Sequence, residues 1–269
     1  MESSQDTETY AWLGQNPLMK EFLDERQIKA FVESSFSIRN KTWESTIGVD
    51  RSAIEDDRYG QIKVRIRSLA YEAANHKEQM IMNLLALGAT SNCYDGQYFF
   101  DTDHVTVGAD YQVAQSNKGT DALSAASLQA AITAMSKVKD DRGRPMGVLA
   151  DTIVIPPDLE WTARELLESV YFPDKLSGTD NQKNAANTLK GRLDLIISPY
   201  LTDANNWYLL CTKRPIKPLI LQERTQVEFS SLEGESESGF MRDQYLYGIR
   251  ARYNAGFGLW QYAYGGIVG

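Results

Sequence analysis

Between Asn92 and His104 the chain reads Asn-Cys-Tyr-Asp-Gly-Gln-Tyr-Phe-Phe-Asp-Thr-Asp-His, so one thiol, three carboxylates and one of only two histidines fall within thirteen positions. Carboxylates and imidazole suit several divalent metals, and a cysteine with a histidine and an aspartate has the residue types of an activated nucleophile. The spacing fits neither use. A calcium loop sets oxygen ligands at alternating positions around a glycine and ends in a glutamate, whereas Phe99 and Phe100 stand where ligands belong. Structural zinc needs further Cys or His pairs, and only His76 and Cys211 remain elsewhere. The segment therefore reads as a turn at Asp95-Gly96, an apolar run from Tyr98 to Phe100 tucked under the body, and Asp101 or Asp103 bonding nearby amides of the chain. The chemical alternative is a metal-dependent hydrolase using Asp95, Asp101, Asp103 and His104. No glycine-rich phosphate loop, nucleophile elbow or dinucleotide fingerprint occurs, so no catalytic, cofactor-binding or metal residue is expected. His76, mid-way along a helical segment, reads as a surface or packing histidine.

The elements that must position these residues follow from periodicity. After a polar start, Leu18, Phe22, Leu23, Ile28, Phe31 and Val32 suggest an extended leader and a short amphipathic helix. Phe36 and Ile38 alternate with polar residues, Asn40-Lys41 supplies a turn, and Trp43, Ile47 and Val49 resume the alternation, which predicts a hairpin. From Tyr59 to Leu87, apolar residues recur at helical intervals after Asp56-Asp57 and before Gly88, predicting a helix on the order of 40 Å long. Further helices are predicted over Ser124–Lys139 and Leu159–Val170, and strands over Thr152–Ile155, Leu193–Ile197, Trp207–Cys211, Leu219–Phe229 and Tyr245–Tyr253. The polar stretch Leu176–Gly191 reads as a mobile surface loop. This order suits an α+β protein of two subdomains.

Composition bounds the function. The 269 residues can bury a substantial core, and no apolar run reaches a membrane span, so no membrane partner is expected. The opening residues lack the basic and apolar regions of an export signal, which predicts a cytosolic origin. Cys93 and Cys211 read as free buried thiols. A formal net charge of -8 speaks against a surface devoted to nucleic acid, and the basic run Lys63, Arg65, Arg67 reads as a solvated helix face.

Several segments then carry a resemblance. Tyr10-Ala-Trp-Leu-Gly14, Ser37-Ile-Arg-Asn-Lys-Thr-Trp-Glu44, Ile54-Glu-Asp-Asp-Arg58, Cys93-Tyr-Asp-Gly-Gln97 and Phe99-Phe-Asp-Thr-Asp-His104, in that order, resemble the major head subunit of Mu-like phages and prophages. The resemblance runs from about Tyr10 to the last strand. It implies the Hong Kong 97-type phage capsid fold, with an N-terminal arm (1–27), an extended hairpin loop (28–50), a peripheral subdomain with a long spine helix (51–123), an axial subdomain (124–215) and return strands of the peripheral subdomain (216–269). It implies a non-enzymatic subunit without cofactor that forms hexamers and pentamers of an icosahedral shell in the virion, assembled in the bacterial host cytoplasm. Its partners would be identical subunits, neighbouring capsomers, and portal, scaffold, protease or decoration proteins, with packaged DNA held only loosely. Relatives usually carry more sequence ahead of Tyr10. Covalent crosslinking does not carry over, because no partner asparagine or catalytic glutamate can be assigned. An encapsulin-like compartment shell is the alternative within the same fold.

An outreaching arm and hairpin expose groups that only a neighbour would cover. The expected subunit interface is therefore Trp12, Leu13 and Leu18 in the arm and Trp43, Ile47 and Val49 in the hairpin. Arg39, Lys41, Glu44, Arg51, Glu55, Asp56, Asp57 and Arg58 would set the register between neighbours.

Overall fold

The computed structural model describes residues 1–13, 33–56, 60–105, 112–171, 186–232 and 243–269; the side chains of residues 11–13 and 33–35 are outside the description. In chain order the elements are strands β1 (Thr7–Leu13), β2 (Glu33–Arg39) and β3 (Lys41–Asp50), helices α1 (Arg51–Glu55) and α2 (Gln61–Ala86), strand β4 (Lys118–Gly119), helix α3 (Ala125–Lys137), strand β5 (Thr152–Ile155), helix α4 (Glu160–Glu168), and strands β6 (Asp194–Ile197), β7 (Trp207–Leu210), β8 (Leu219–Leu232), β9 (Gln244–Phe257) and β10 (Ala263–Gly266). Helices and mixed sheets make this an α+β chain.

Two units emerge, each assembled from separated stretches of sequence. The first comprises Met1–Thr9, Ser37–Ile81 and Leu221–Gly256. Its sheet has the order β3-β9-β8, with β3 antiparallel to β9 from Lys41 opposite Tyr253 to Asp50 opposite Gln244. Leu69 and Ala73 of α2 are buried with Tyr247 and Ile249 of β9, and Ile47, Val49 and Ile66 pack against them. His76 is half-buried: its Nδ1 lies 2.8 Å from the Tyr253 hydroxyl and its ring 4.4 Å from that of Trp43. It is a packing histidine, as expected.

The second unit comprises Tyr10–Phe36, Met82–Ile220 and Phe257–Gly269. Its sheet runs β4-β10-β7-β5-β6, parallel at β10/β4 and β5/β6 and antiparallel at β10/β7 and β5/β7. The central strands β5 and β7 are buried throughout, and side-chain alternation sends successive residues to opposite faces. Ile153, Ile155, Trp207 and Leu209 join Leu128, Ile132 and Met135 of α3 and Leu166 and Leu167 of α4 in one core. Val154, Tyr208 and Leu210 join Leu85, Phe99, Phe100, Phe257 and Trp260 in another. Ile153, Ile155, Leu128 and Leu209 are wholly shut from water, each contributing about 1.5–3 kcal/mol. Helix α3 starts at Ser124, whose side chain accepts from the Ser127 amide while Ser127 answers the Ser124 amide.

Three expectations require correction. The hairpin turning at Asn40-Lys41 does not form: β2 pairs with β1, while β3 pairs with β9. Asn40 is a buried corner, not a tip, its amide donating to the Asp6 carbonyl and its Nδ2 to Ser3 Oγ and the Gln5 carbonyl. The end of the supposed mobile loop is packed: Leu189 is buried in the core, and Asn187 Nδ2 donates to the carbonyls of Leu166 and Ser169. Third, β10 lies inside the sheet of the second unit, so residues 216–269 are not all return strands of one subdomain. The amphipathic helix expected around Leu18–Val32 lies outside the described residues.

Candidate functional site

The Asn92–His104 segment folds back on itself immediately after α2. The Gly96 amide donates to the Cys93 carbonyl and the Cys93 amide to the Gln97 carbonyl, with Gly96 at φ 87, a backbone shape glycine adopts without strain. The expected turn at Asp95-Gly96 is present. The Phe99 and Phe100 amides donate to the carbonyls of Ser91 and Gly88, and both rings are fully buried. A Cβ on Gly88 would lie 2.6 Å from the Phe100 ring, so the close approach of the loop to the helix end needs glycine there.

These contacts bring three of the five chemically capable residues together. Asp95 Oδ2 lies 2.7 Å from His104 Nδ1, and Asp95 Oδ1 accepts from Cys93 Sγ at 2.9 Å and from the Gln97 amide at 3.1 Å. His104 stacks on the Trp260 indole at 4.0 Å and 8°. Asp101 and Asp103 stay apart: Asp101 caps the Thr102 amide, and Asp103 is exposed. A residue that sequence reasoning missed completes the cluster. Asn117 Nδ2 donates to the carbonyls of Phe99 and Trp260, and its Oδ1 accepts from the Asp101 amide and faces His104 Nε2 at 3.1 Å. A single Asn outside the motif carries no local signal that would reveal it.

Hydrogen-bond accounting sets the charges. The Asn117 orientation is settled by its two carbonyl partners, so the oxygen facing His104 requires an Nε2–H donor. On the other side, burial would raise the Asp95 carboxyl, but hydrogen bonds from His104 and Cys93, the His104 charge and the Gln97 amide together hold it below the usual carboxylate range. The Asp95–His104 pair is a short hydrogen bond whose two side chains are both essentially inaccessible to water.

The separations in this arrangement favour hydrogen bonding over metal or nucleophilic chemistry. Cys93, Asp95 and His104 offer ligand atoms within 4.8 Å of one another. Yet ligands bonded to one ion at about 2.0–2.3 Å must stand roughly 3.3–3.7 Å apart. The observed 2.7 and 2.9 Å separations are those of shared protons. Burial, then the adjacent Asp95 charge, pushes the Cys93 thiol far above its ordinary value, which disfavours the thiolate. Asp101 and Asp103 stand apart from the cluster, so the geometry does not favour the alternative of a metal-dependent hydrolase at Asp95, Asp101, Asp103 and His104. The cluster ties the loop to Asn117 and Trp260 and serves the fold.

The model of the Mu-like prophage major head subunit gpT family matches residues 1–122, 111–201 and 202–267. The chain belongs to this family. It is 29% identical over 265 residues to the Mu-like prophage FluMu major head subunit of Haemophilus influenzae, covering 98% of this chain and 62% of that protein. It is 27% identical to the major capsid protein of Escherichia phage Mu, covering 97% and 62%. The chain thus spans 62% of the length of these curated relatives. Among solved structures it resembles a chain of the bacteriophage JBD30 procapsid, at 29% identity and a TM-score of 0.57, covering 98% of this chain and 64% of that one. The fold is the Hong Kong 97-type phage capsid fold that the resemblance implied.

The interface residues expected from sequence are distributed as follows. Trp12 and Leu13 lie on β1, and Leu18, Asp57 and Arg58 lie outside the described residues. The indole N–H of Trp43 donates to the Tyr253 carbonyl, and Ile47 and Val49 pack on their own unit. Arg39 pairs with Asp6 and Arg51 with Glu55. Lys41, Glu44 and Asp56 are exposed, with Glu44 opposite Arg250 across the sheet.

Proposed function

We propose that copies of this chain assemble as hexamers and pentamers into an icosahedral shell that encloses phage DNA, formed in the bacterial cytoplasm and retained in the virion. The likeness to the JBD30 procapsid chain, at 29% identity across 98% of this chain, carries this reading. The surface supports it. Strand β3 borders its sheet for ten residues with none buried, and Trp161 on α4 is 75% exposed. An edge of that length to which no strand among the described residues pairs, and an exposed indole, are costly in a monomer and useful at a contact.

The role is architectural and not catalytic. The outreaching element is assigned to the β1 and β2 pair, with Trp12 and Leu13 on β1, while Lys41, Trp43, Glu44, Ile47 and Val49 lie on the edge strand β3; Leu18 is kept as a contact residue of the arm. Arg39, Arg51, Glu55, Asp56, Asp57 and Arg58 set register by exchanging or sharing ion-pair partners with a neighbour. Neighbouring capsomers, portal, scaffold, protease and decoration proteins are the further partners.

Negative-stain microscopy and light scattering of the purified protein test this reading. Closed particles of uniform size are expected. Only small oligomers under every assembly condition would refute it. Particles filled with an enzyme and free of nucleic acid would make it an encapsulin-like compartment, which no observation favours.

A further inference from the structure

We propose that the outward face of α2 between Gln61 and Ile81 lies antiparallel against the same face of a second copy, with Arg67 opposite that copy's Glu78 and Tyr71 opposite its Ala74. At about 100° per residue, Arg67, Tyr71, Ala74 and Glu78 fall within about 60° of one another around the helix. Leu69 and Ala73, buried against the sheet of the first unit, point the other way. All four residues of the outward face are exposed, Tyr71 at 68%.

The order of these side chains selects the arrangement. Counted from Arg67, the steps to Tyr71, Ala74 and Glu78 are four, three and four residues, a spacing that reads the same from either end. Turning a second helix end for end therefore sets cation against carboxylate twice and a phenol ring against a methyl group twice. The same register brings Val64, 65% exposed, to Ile81 at each end. A parallel register would instead set Arg67 on Arg67 and Glu78 on Glu78, which like charge opposes. Nothing within the helix answers these two charges. No residue three or four places from either carries the opposite sign, whereas Arg51 and Arg164 find their carboxylates at that spacing. Exposed charge alone is common on this surface; its palindromic order around one large and one small side chain is what points to a second copy.

The dimensions agree. Arg67 and Glu78 stand about 16 Å apart along the axis, so the paired charges lie towards the two ends of the contact and fix its register. Ala74 leaves room for the Tyr71 ring at the axis separation of about 8–10 Å that packed helices keep. Exposed ion pairs add little each, and one helix face covers less than the roughly 800 Å² per partner of a standard interface. The contact is therefore weak alone and acts by repetition. A patch that meets itself needs a two-fold axis, whereas adjacent subunits of a ring meet through two different patches. On the shell reading, on which this placement rests, the helix pair joins one capsomer to the next.

The test is oxidative crosslinking of the purified full chain under assembly conditions, read on a non-reducing gel. The Arg67→Cys/Glu78→Cys variant should give at least about tenfold more covalent dimer than either single variant. In the antiparallel contact each position lies about 16 Å along the axis from its own counterpart, beyond the Cα separation of about 7 Å that a disulfide spans. The product should stop at the dimer, and Cys93 and Cys211 are buried. Charge reversal supplies the second measurement. Arg67→Glu and Glu78→Arg should each lower the yield of closed particles at least about fivefold, and the two combined should restore it to within about twofold of wild type, all with an unchanged melting temperature. Single cysteines that crosslink as well as the pair, a ladder of higher oligomers, or a double reversal no better than the single ones overturns the proposal. So does a reversal that lowers the melting temperature, because the residue would then serve its own subunit. Covalent dimer in a protein that never forms closed particles would sustain the helix contact and sink the shell reading; closed particles without the dimer would do the opposite.

Discussion

Replacing Asp95 by asparagine isolates the contribution of the buried pair, because volume is kept while charge and acceptor count change. In the wild type three hydrogens converge on an acceptor-only carboxylate: Cys93 Sγ–H and the Gln97 amide on Oδ1, and His104 Nδ1–H on Oδ2. Asparagine offers one oxygen. Whichever way its amide turns, its NH2 displaces an acceptor that His104 or the Cys93 and Gln97 donors use, and the buried pair loses the carboxylate charge. Removing one partner of a buried pair costs about 3–5 kcal/mol. Against a total of about 5–15 kcal/mol that is a large fraction, and in a chain of this size it lowers the melting temperature by roughly 6–20 °C. Urea denaturation followed by tryptophan fluorescence at pH 7 measures it. The acid limb supplies the sign. Because the Asp95 carboxyl is held below its ordinary value in the fold, its stabilisation is complete above the unfolded value of about 3.9 and fades as pH falls through the lowered folded one. The gap between wild type and Asp95→Asn should therefore close in acid. A cost under about 1 kcal/mol at pH 7 would refute the reasoning. So would a chelator that shifts the wild-type midpoint by as much as the substitution does.

Other perturbations probe the same account. Gly88→Ala forces a methyl against the Phe100 ring and should cost about 1–3 kcal/mol, read as a lower urea midpoint. Both Cys93 and Cys211 are buried with raised thiol values, so a thiol reagent at pH 8 should react with neither until denaturant is added. Trp161→Ser removes an exposed side chain and should leave the melting temperature within the equivalent of about 0.5 kcal/mol, yet lower the yield of closed particles. Equal losses of stability and assembly would place Trp161 in its own subunit's core.

Much of the fold was legible where a long period repeats. The spacing of Ile66, Leu69 and Ala73 located α2, and alternation located β3, β8 and β9. Alternation names a face but no partner. That β3 joins β9, some two hundred residues away, instead of β2 was invisible, and so the hairpin was misplaced. Strand β10 was missed because only Tyr264 of Ala-Tyr-Gly-Gly is of a type enriched in strands, and two of the four residues are glycines, which are depleted there. Its glycines answer to neighbours: a Cβ on Gly265 would lie 2.8 Å from the Phe100 ring. At the candidate site the residue types suggested a reactive centre and the spacing argued against one. Their convergence on Asn117 and Trp260 depends on tertiary packing that no local pattern encodes.

The position of β10 bears on how the protein is made. Residues 263–266 sit between β4 and β7, with Gly265 opposite both Lys118 and Tyr208. A nascent chain on the ribosome cannot complete this sheet until those residues emerge, however early β4, β5 and β7 have been synthesised. Closure spanning such sequence separations is slow, and the half-built sheet offers unpaired edges meanwhile. The sheet thus stays open until Ala263–Gly266 have been made, and a chaperone or sister molecules would meet its edges in the interval.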